Sequence, residues 1–134
     1  MNNYTSVNRR KYYLKVHLVF VCKYRKQLLA NEDIDLKLKC IFKDIESNCD
    51  FIIDIMETDK DHIHLLVSYP PKISISSIVR KLKQESTITL WKYFPTYLSK
   101  CFWNEHTFWS DGYFVCSIGE ANPDTIRKYI ENQG

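Results

Sequence analysis

The feature that most constrains this chain is a repeated change of hydrophobic period, from two to 3.6 and back. Over residues 12–22, Leu14, Val16, Leu18 and Phe20 share one side, and Tyr13, Lys15, His17, Val19 and Val21 share the other. That alternation is the mark of a long strand with one buried face and one mixed face. A basic loop, residues 23–26, follows. At Asn31, a capping residue ahead of Glu32 and Asp33, the period changes, and Ile34, Leu38, Ile41 and Ile45 recur at helical spacing to about Ser47. Residues 51–56 read as a second strand, Thr58 to Asp61 as a polar turn, and residues 62–69 as a third strand stopped by Pro70-Pro71. Ser74 or Ser76 can cap a second helix bearing Ile75, Ile78, Val79 and Leu82, which ends somewhere before Pro95. The stretch from Tyr97 to Trp109 reads as irregular, and residues 113–118 as a fourth strand. Asn122-Pro123-Asp124 opens a last helix, with a cap, a proline in the first turn and an acid beside the dipole.

The order is β-α-β-β-α-β plus a terminal helix. It predicts an α+β, ferredoxin-like (equally RRM-like) split βαβ fold: an antiparallel sheet with helices on one face, followed by a C-terminal helix over about 123–133. At 134 residues the chain is expected to be a single domain, 1–134.

Composition narrows the class. Five cysteines without a CxxC pair fit neither a disulfide framework nor a structural zinc ribbon. No apolar run approaches the roughly 20 residues of a membrane span, and no signal peptide opens the chain. A soluble, cytoplasmic protein is the expectation. Walker-type and Rossmann glycine patterns are absent from the sequence, so nucleotide-driven chemistry has no support. The net charge of +3 is mild. Basic residues nevertheless gather at Arg9, Arg10, Lys11 and Lys15, at Lys23, Arg25 and Lys26, and at Arg80, Lys81 and Lys83. Taken alone, such clusters are more often solvated faces than binding sites.

Two pairs of residues carry candidate chemistry. His62 and His64, two apart on a strand, project from one face while Ile63, Leu65 and Val67 point the other way. Both imidazoles can then converge on one ion, although an isolated HxH equally suits half-buried histidines without a ligand. Tyr129 and Gln133, four apart on a helix, are neighbours on its surface. A phenol is a poor nucleophile at neutral pH unless its partner is activated, and a packed tyrosine beside a solvated glutamine is the commoner meaning of such a pair. Asp61 is placed to orient a histidine or simply to turn the chain. Glu57 and Asp59 read as turn or strand-edge acids, and neither His17 nor His106 has a partner visible in sequence.

Taken in order, these parts match a known family. Residues 61–72 (Asp-His-Ile-His-Leu-Leu-Val-Ser-Tyr-Pro-Pro-Lys) resemble the HUH signature of the single-tyrosine transposases of small insertion sequences, the TnpA type. Residues 18–25, 74–83 and 108–115 resemble further family segments, and residues 126–133 (Ile-Arg-Lys-Tyr-Ile-Glu-Asn-Gln) resemble the catalytic helix. The resemblance implies cleavage and rejoining of single-stranded DNA at insertion-sequence ends, with recognition of subterminal hairpins and a 5′-phosphotyrosine intermediate that needs no ATP. It implies Tyr129 as nucleophile, and His62, His64 and Gln133 as ligands of Mg²⁺ or Mn²⁺, with Asp61 behind them. It also implies a homodimer whose sheets join and whose tyrosine helix can complete the partner's site. With DNA expected, Arg9, Arg10, Lys11, Lys23, Tyr24, Arg25, Lys26, Arg80, Lys81 and Lys83 become candidate DNA contacts, and surplus Trp and Phe become candidates for stacking on unpaired bases. An RNA-binding RRM would carry an aromatic-rich third strand in place of His-Ile-His-Leu-Leu-Val-Ser. A two-histidine phosphoesterase would need a second HxT/S or HxH element, which neither His17 nor His106 supplies.

Overall fold

The computed structural model describes residues 14–120 and 122–133. Strand β1 (Leu14–Val21) lies inside a four-stranded antiparallel sheet of order β2-β3-β1-β4, with β2 at Ile52–Asp59, β3 at His62–Tyr69 and β4 at Phe114–Ser117. This is the split arrangement expected from the sequence. The register explains how the sheet separates its two faces. Leu18 lies opposite Leu65 and Phe20 opposite Ile63, whereas Val19 lies opposite His64 and Val21 opposite His62. Side chains alternate along each strand, so the first set of pairs enters the core and the second lies on the reverse side.

Helix α1 (Glu32–Ser47) starts where Asn31 accepts hydrogen bonds from the Asp33 and Ile34 amides at 3.0 and 3.2 Å. It buries Ile34, Leu38, Ile41, Phe42 and Ile45. Helix α2 (Ile75–Tyr93) is capped by Ser74, whose Oγ accepts from the Ser77 amide. Both helices cover the Leu18–Phe20 face of the sheet and enclose the main core. The segment read from sequence as irregular begins as a helix, α3 (Pro95–Cys101), with Pro95 in its first turn. Seven residues with one buried anchor, Leu98, are too few to show a period. After it, Trp91 donates to the Thr107 carbonyl (2.8 Å) and Trp109 donates to Ser86 Oγ (3.0 Å), which pins the aromatic connection to α2.

The last helix, α4 (Pro123–Glu131), is capped by Asn122 through the Asp124 and Thr125 amides. It packs on the opposite face of the sheet. Ile130 closes over Val19 and Val21, with Phe114, Ile126 and Tyr129 around them. Among the described residues the sheet therefore carries the long helices on one side and α4 on the other, the side that bears the histidines. All five cysteines are free. No helix among the described residues is long and apolar enough to cross a membrane.

Candidate active site

The hairpin between β2 and β3 turns through Lys60 and Asp61, so His62 is the first residue of β3 and His64 follows on the same face. Their imidazoles border a cleft of about 660 Å³ whose walls include His17, Arg25, Asp61, His62 and His64 from the sheet side and Ile126 and Ile130 from α4. The paired histidines thus face the underside of the helix that carries Tyr129.

Each imidazole is held by a neighbour. His62 donates from Nδ1 to Asp61 Oδ1 at 2.9 Å, so its Nε2 is the nitrogen free to bind a ligand. A carboxylate behind an imidazole is the usual way a metal-binding histidine is oriented. Asp61 in turn accepts from Arg25 Nε at 3.1 Å through its other oxygen. Burial alone would push the Asp61 carboxyl up, but the hydrogen bonds from His62 and Arg25 outweigh it and hold the group below its ordinary range. Asp61 is therefore a carboxylate at neutral pH. His64 Nε2 lies 2.7 Å from His17 Nδ1, with the rings stacked at 5.0 Å, and its Nδ1 is 3.9 Å from Glu57. Burial first, then the charge His17 carries when protonated, lower the His64 pKa, which favours the neutral, ligating form. His17 was invisible as a partner in sequence because the pair is 47 residues apart. The signal was there in its place on the mixed face of β1, the face that β3 turns toward with its histidines.

Tyr129 and Gln133 sit differently. The Tyr129 ring packs at 5.5 Å from Phe114 within the Val19, Val21 and Ile130 cluster, and neither Tyr129 nor Gln133 lines the cleft. Burial raises the Tyr129 pKa, so the phenol is protonated at neutral pH. Gln133 Nε2 donates to the Tyr129 carbonyl at 3.2 Å, which leaves its amide oxygen available. Among the described residues no group of three His, Cys, Asp or Glu side chains is gathered as a cation site. The donor chemistry nevertheless fits a divalent ion: His62 presents Nε2, and His64 can present its own in exchange for the bond to His17.

The expected DNA contacts divide. Arg9, Arg10 and Lys11 lie outside the described residues. Lys23 is 3.7 Å from the exposed Asp111, and Lys81 pairs with Glu85 on the surface of α2. Tyr24 is exposed and donates to Glu105 at 2.9 Å. Lys26 lies over the Phe102 ring, and Arg80 is exposed on α2. Arg25 and Lys83 are engaged internally instead. Lys83 donates to the Ser110 carbonyl at 2.8 Å and to that of Gly112, and burial lowers its pKa. Trp103, one of the surplus aromatics with no individual signal in sequence, is 87% exposed just after α3, beside Phe102. His106, also without a visible partner in sequence, stacks on Trp91 at 4.2 Å.

Comparison with known proteins gives a consistent picture. The family described as transposase, IS200-like, matches residues 10–133. The chain is 34% identical over 122 residues to the ISDra2 transposase TnpA of Deinococcus radiodurans, covering 91% of this chain and 85% of that protein. It is 32% identical over 136 residues to the transposase for insertion sequence element IS200 of Salmonella typhimurium, covering 99% and 85% respectively. Among solved structures, a Deinococcus radiodurans protein described as a transposase superposes with a TM-score of 0.81 at 34% identity, over 91% of this chain and 92% of that one. A REP-associated tyrosine transposase bound to a REP hairpin shares the fold, with a TM-score of 0.56 at 18% identity over 91% and 67% of the two chains.

Proposed function

Because this chain belongs to the IS200-like transposase family, the single-tyrosine DNA-cleaving transposases of the TnpA type, we propose that it cleaves and rejoins single-stranded DNA at insertion-sequence ends through a phosphotyrosine on Tyr129. The observation that carries this reading is the pairing of His62 and His64 on one sheet face, bordering a cleft roofed by the helix that bears Tyr129.

The Tyr129 hydroxyl attacks the scissile phosphorus. The new Oη–P bond forms as the P–O3′ bond breaks, which leaves a 5′-phosphotyrosine and a free 3′-OH. The proton lost by the phenol balances the one gained by the 3′ oxygen. Because burial holds Tyr129 protonated, the attack depends on a polarised phosphate more than on a ready phenolate. His62, His64 and the free amide oxygen of Gln133 would hold Mg²⁺ or Mn²⁺, which when bound offsets charge on the non-bridging phosphate oxygens. Asp61 fixes which nitrogen His62 offers, and His17 steadies His64 until that nitrogen is needed.

Tyr129 lies outside the lining of its own subunit's cleft, which supports a homodimer in which α4 serves the partner's histidines. The hairpin bound to the REP-associated neighbour supports a DNA hairpin as the partner here. Lys23, Lys26, Arg80 and Lys81, together with Arg9, Arg10 and Lys11, are the proposed phosphate contacts. Tyr24 and Trp103 are the exposed aromatics suited to stacking on unpaired bases.

The test is to incubate the chain with Mn²⁺ and end-labelled single-stranded DNA from its element's ends, then look for an adduct that survives denaturation. The wild type should form it and Tyr129→Phe should not. An adduct that persists in Tyr129→Phe, or none from the wild type, refutes the reading.

A further inference from the structure

Arg25 touches two parts of the site at once and reaches a third through one of them. Its Nε donates to Asp61 Oδ2 at 3.1 Å, and Asp61 Oδ1 accepts from His62. Its Nη1 reaches the carbonyl of Glu131, the last residue of α4, at 3.5 Å. That carbonyl has no acceptor role inside the helix, and a cation there complements the negative end of the helix dipole. The backbone is bent to permit this. Tyr24 and Arg25 have φ of 59° and 53°, in the left-handed region that side chains with a Cβ avoid. Two consecutive residues in this strained state persist only where surrounding contacts compensate. Here the turn is tied down by the Arg25 amide on the Cys22 carbonyl and the Lys23 amide on the Phe108 carbonyl. A solvated phosphate contact would need none of this. The planar fork of an arginine also bridges two acceptors in a way a lysine ammonium does not.

We propose that Arg25 is a positioning residue that couples the metal-facing nitrogen of His62 to the docking of α4 on the sheet. One side of the guanidinium holds Asp61 in the position that fixes the His62 tautomer. The other side secures the carboxyl end of the tyrosine helix. Displacing α4 thereby loosens the support behind His62, so the docking of a subunit's tyrosine helix and the orientation of its own histidine are set together. The significance of the coupling rests on the roles given above to His62 and Tyr129, but the coupling itself is measurable without metal or DNA.

The experiment uses the full chain, metal-free, as wild type, Arg25→Gln and Arg25→Lys. The His62 tautomer is read from ¹⁵N–¹H correlations of the imidazole, and α4 docking from amide exchange over residues 123–131. In Arg25→Gln, His62 should change from the Nδ1–H form to a mixture. Exchange in α4 should also rise by about fivefold or more, equivalent to about 1 kcal/mol, while α1 is unaffected. Arg25→Lys, which keeps a charge for Asp61, should retain the tautomer but lose the α4 protection. If Arg25→Gln does not fold, Arg25→Lys alone decides the matter. The proposal is overturned if Arg25→Gln leaves either readout unchanged, if Arg25→Lys keeps full α4 protection, or if exchange rises equally across the fold. A wild type that forms no DNA adduct, while these metal-free readouts move as described, would sink the functional reading and leave the coupling standing.

Discussion

Replacing Ile130 by alanine removes three side-chain carbons from the small cluster that holds α4 against Val19 and Val21. Ile130 is 9% exposed, and its partly buried neighbours among the described residues are Phe114, Ile126 and Tyr129. At about 0.8 kcal/mol per buried methylene the loss is about 2.4 kcal/mol, with little extra for a cavity because an edge site can collapse. This cluster is separate from the main core, so the cost falls first on docking of the helix. A nine-residue helix is shorter than the roughly 12–15 residues at which isolated helices become even marginal, so undocked α4 melts. The expected result is an increase of about 50-fold in amide exchange over residues 123–131, taking about 1.4 kcal/mol per decade. Protection in α1 and α2 should change far less. Hydrogen exchange read by mass spectrometry on peptides from each element measures both. An α4 exchange rate within a few-fold of wild type, or an equal rise in every element, would refute the idea that the helix is a separately docked unit.

Four further outcomes follow from particular contacts. Mixing Tyr129→Phe subunits with His64→Ala subunits should restore adduct formation that neither gives alone; failure to restore it in verified heterodimers would place Tyr129 in its own subunit's site. His64 is held below the usual histidine range, so below roughly pH 6.5 the unfolded chain binds more protons than the folded one and stability falls as the pH drops. Urea midpoints at pH 7.5 and 5.5 should show that fall and His64→Gln should flatten it, whereas an unchanged slope in the variant would exclude His64 as its source. Lys83→Met should cost about 1–2 kcal/mol in urea unfolding by stranding the carbonyl of the buried Ser110, and should leave the salt slope of DNA binding alone. A slope reduced by about one instead would put Lys83 on a phosphate. Trp103→Ala should weaken single-stranded DNA binding by about 1–3 kcal/mol without altering stability, and equal affinity for wild type and variant would remove Trp103 from the interface.

Much of this was legible in the chain itself. Alternation over residues 14–21, the described part of the first strand, and over 62–69, helical spacing from Asn31 and from Ser74, and the Asn122-Pro123 start all appear as the elements they foretold. These signals are local: period, cap and turn chemistry act over a few residues and need no knowledge of the rest of the fold. For the same reason His62 and His64 were certain to share a face once β3 existed. The seven-residue α3 was missed because its one buried anchor leaves no period to detect.

The partners of the two histidines were another matter. His17 meets His64 across 47 residues, Arg25 meets Asp61 across 36, and Lys83 meets Ser110 across 27. No local pattern distinguishes the half-buried Lys83 and the bridging Arg25 from the other basic residues beside them in sequence. Their roles come from strand order and register, which set β1 next to β3 and bring the turn after β1 up to the hairpin. The side on which α4 lies was likewise settled only by tertiary packing. Val19 and Val21 on the mixed face of β1 needed an apolar cover, and α1 and α2 had already closed the other face.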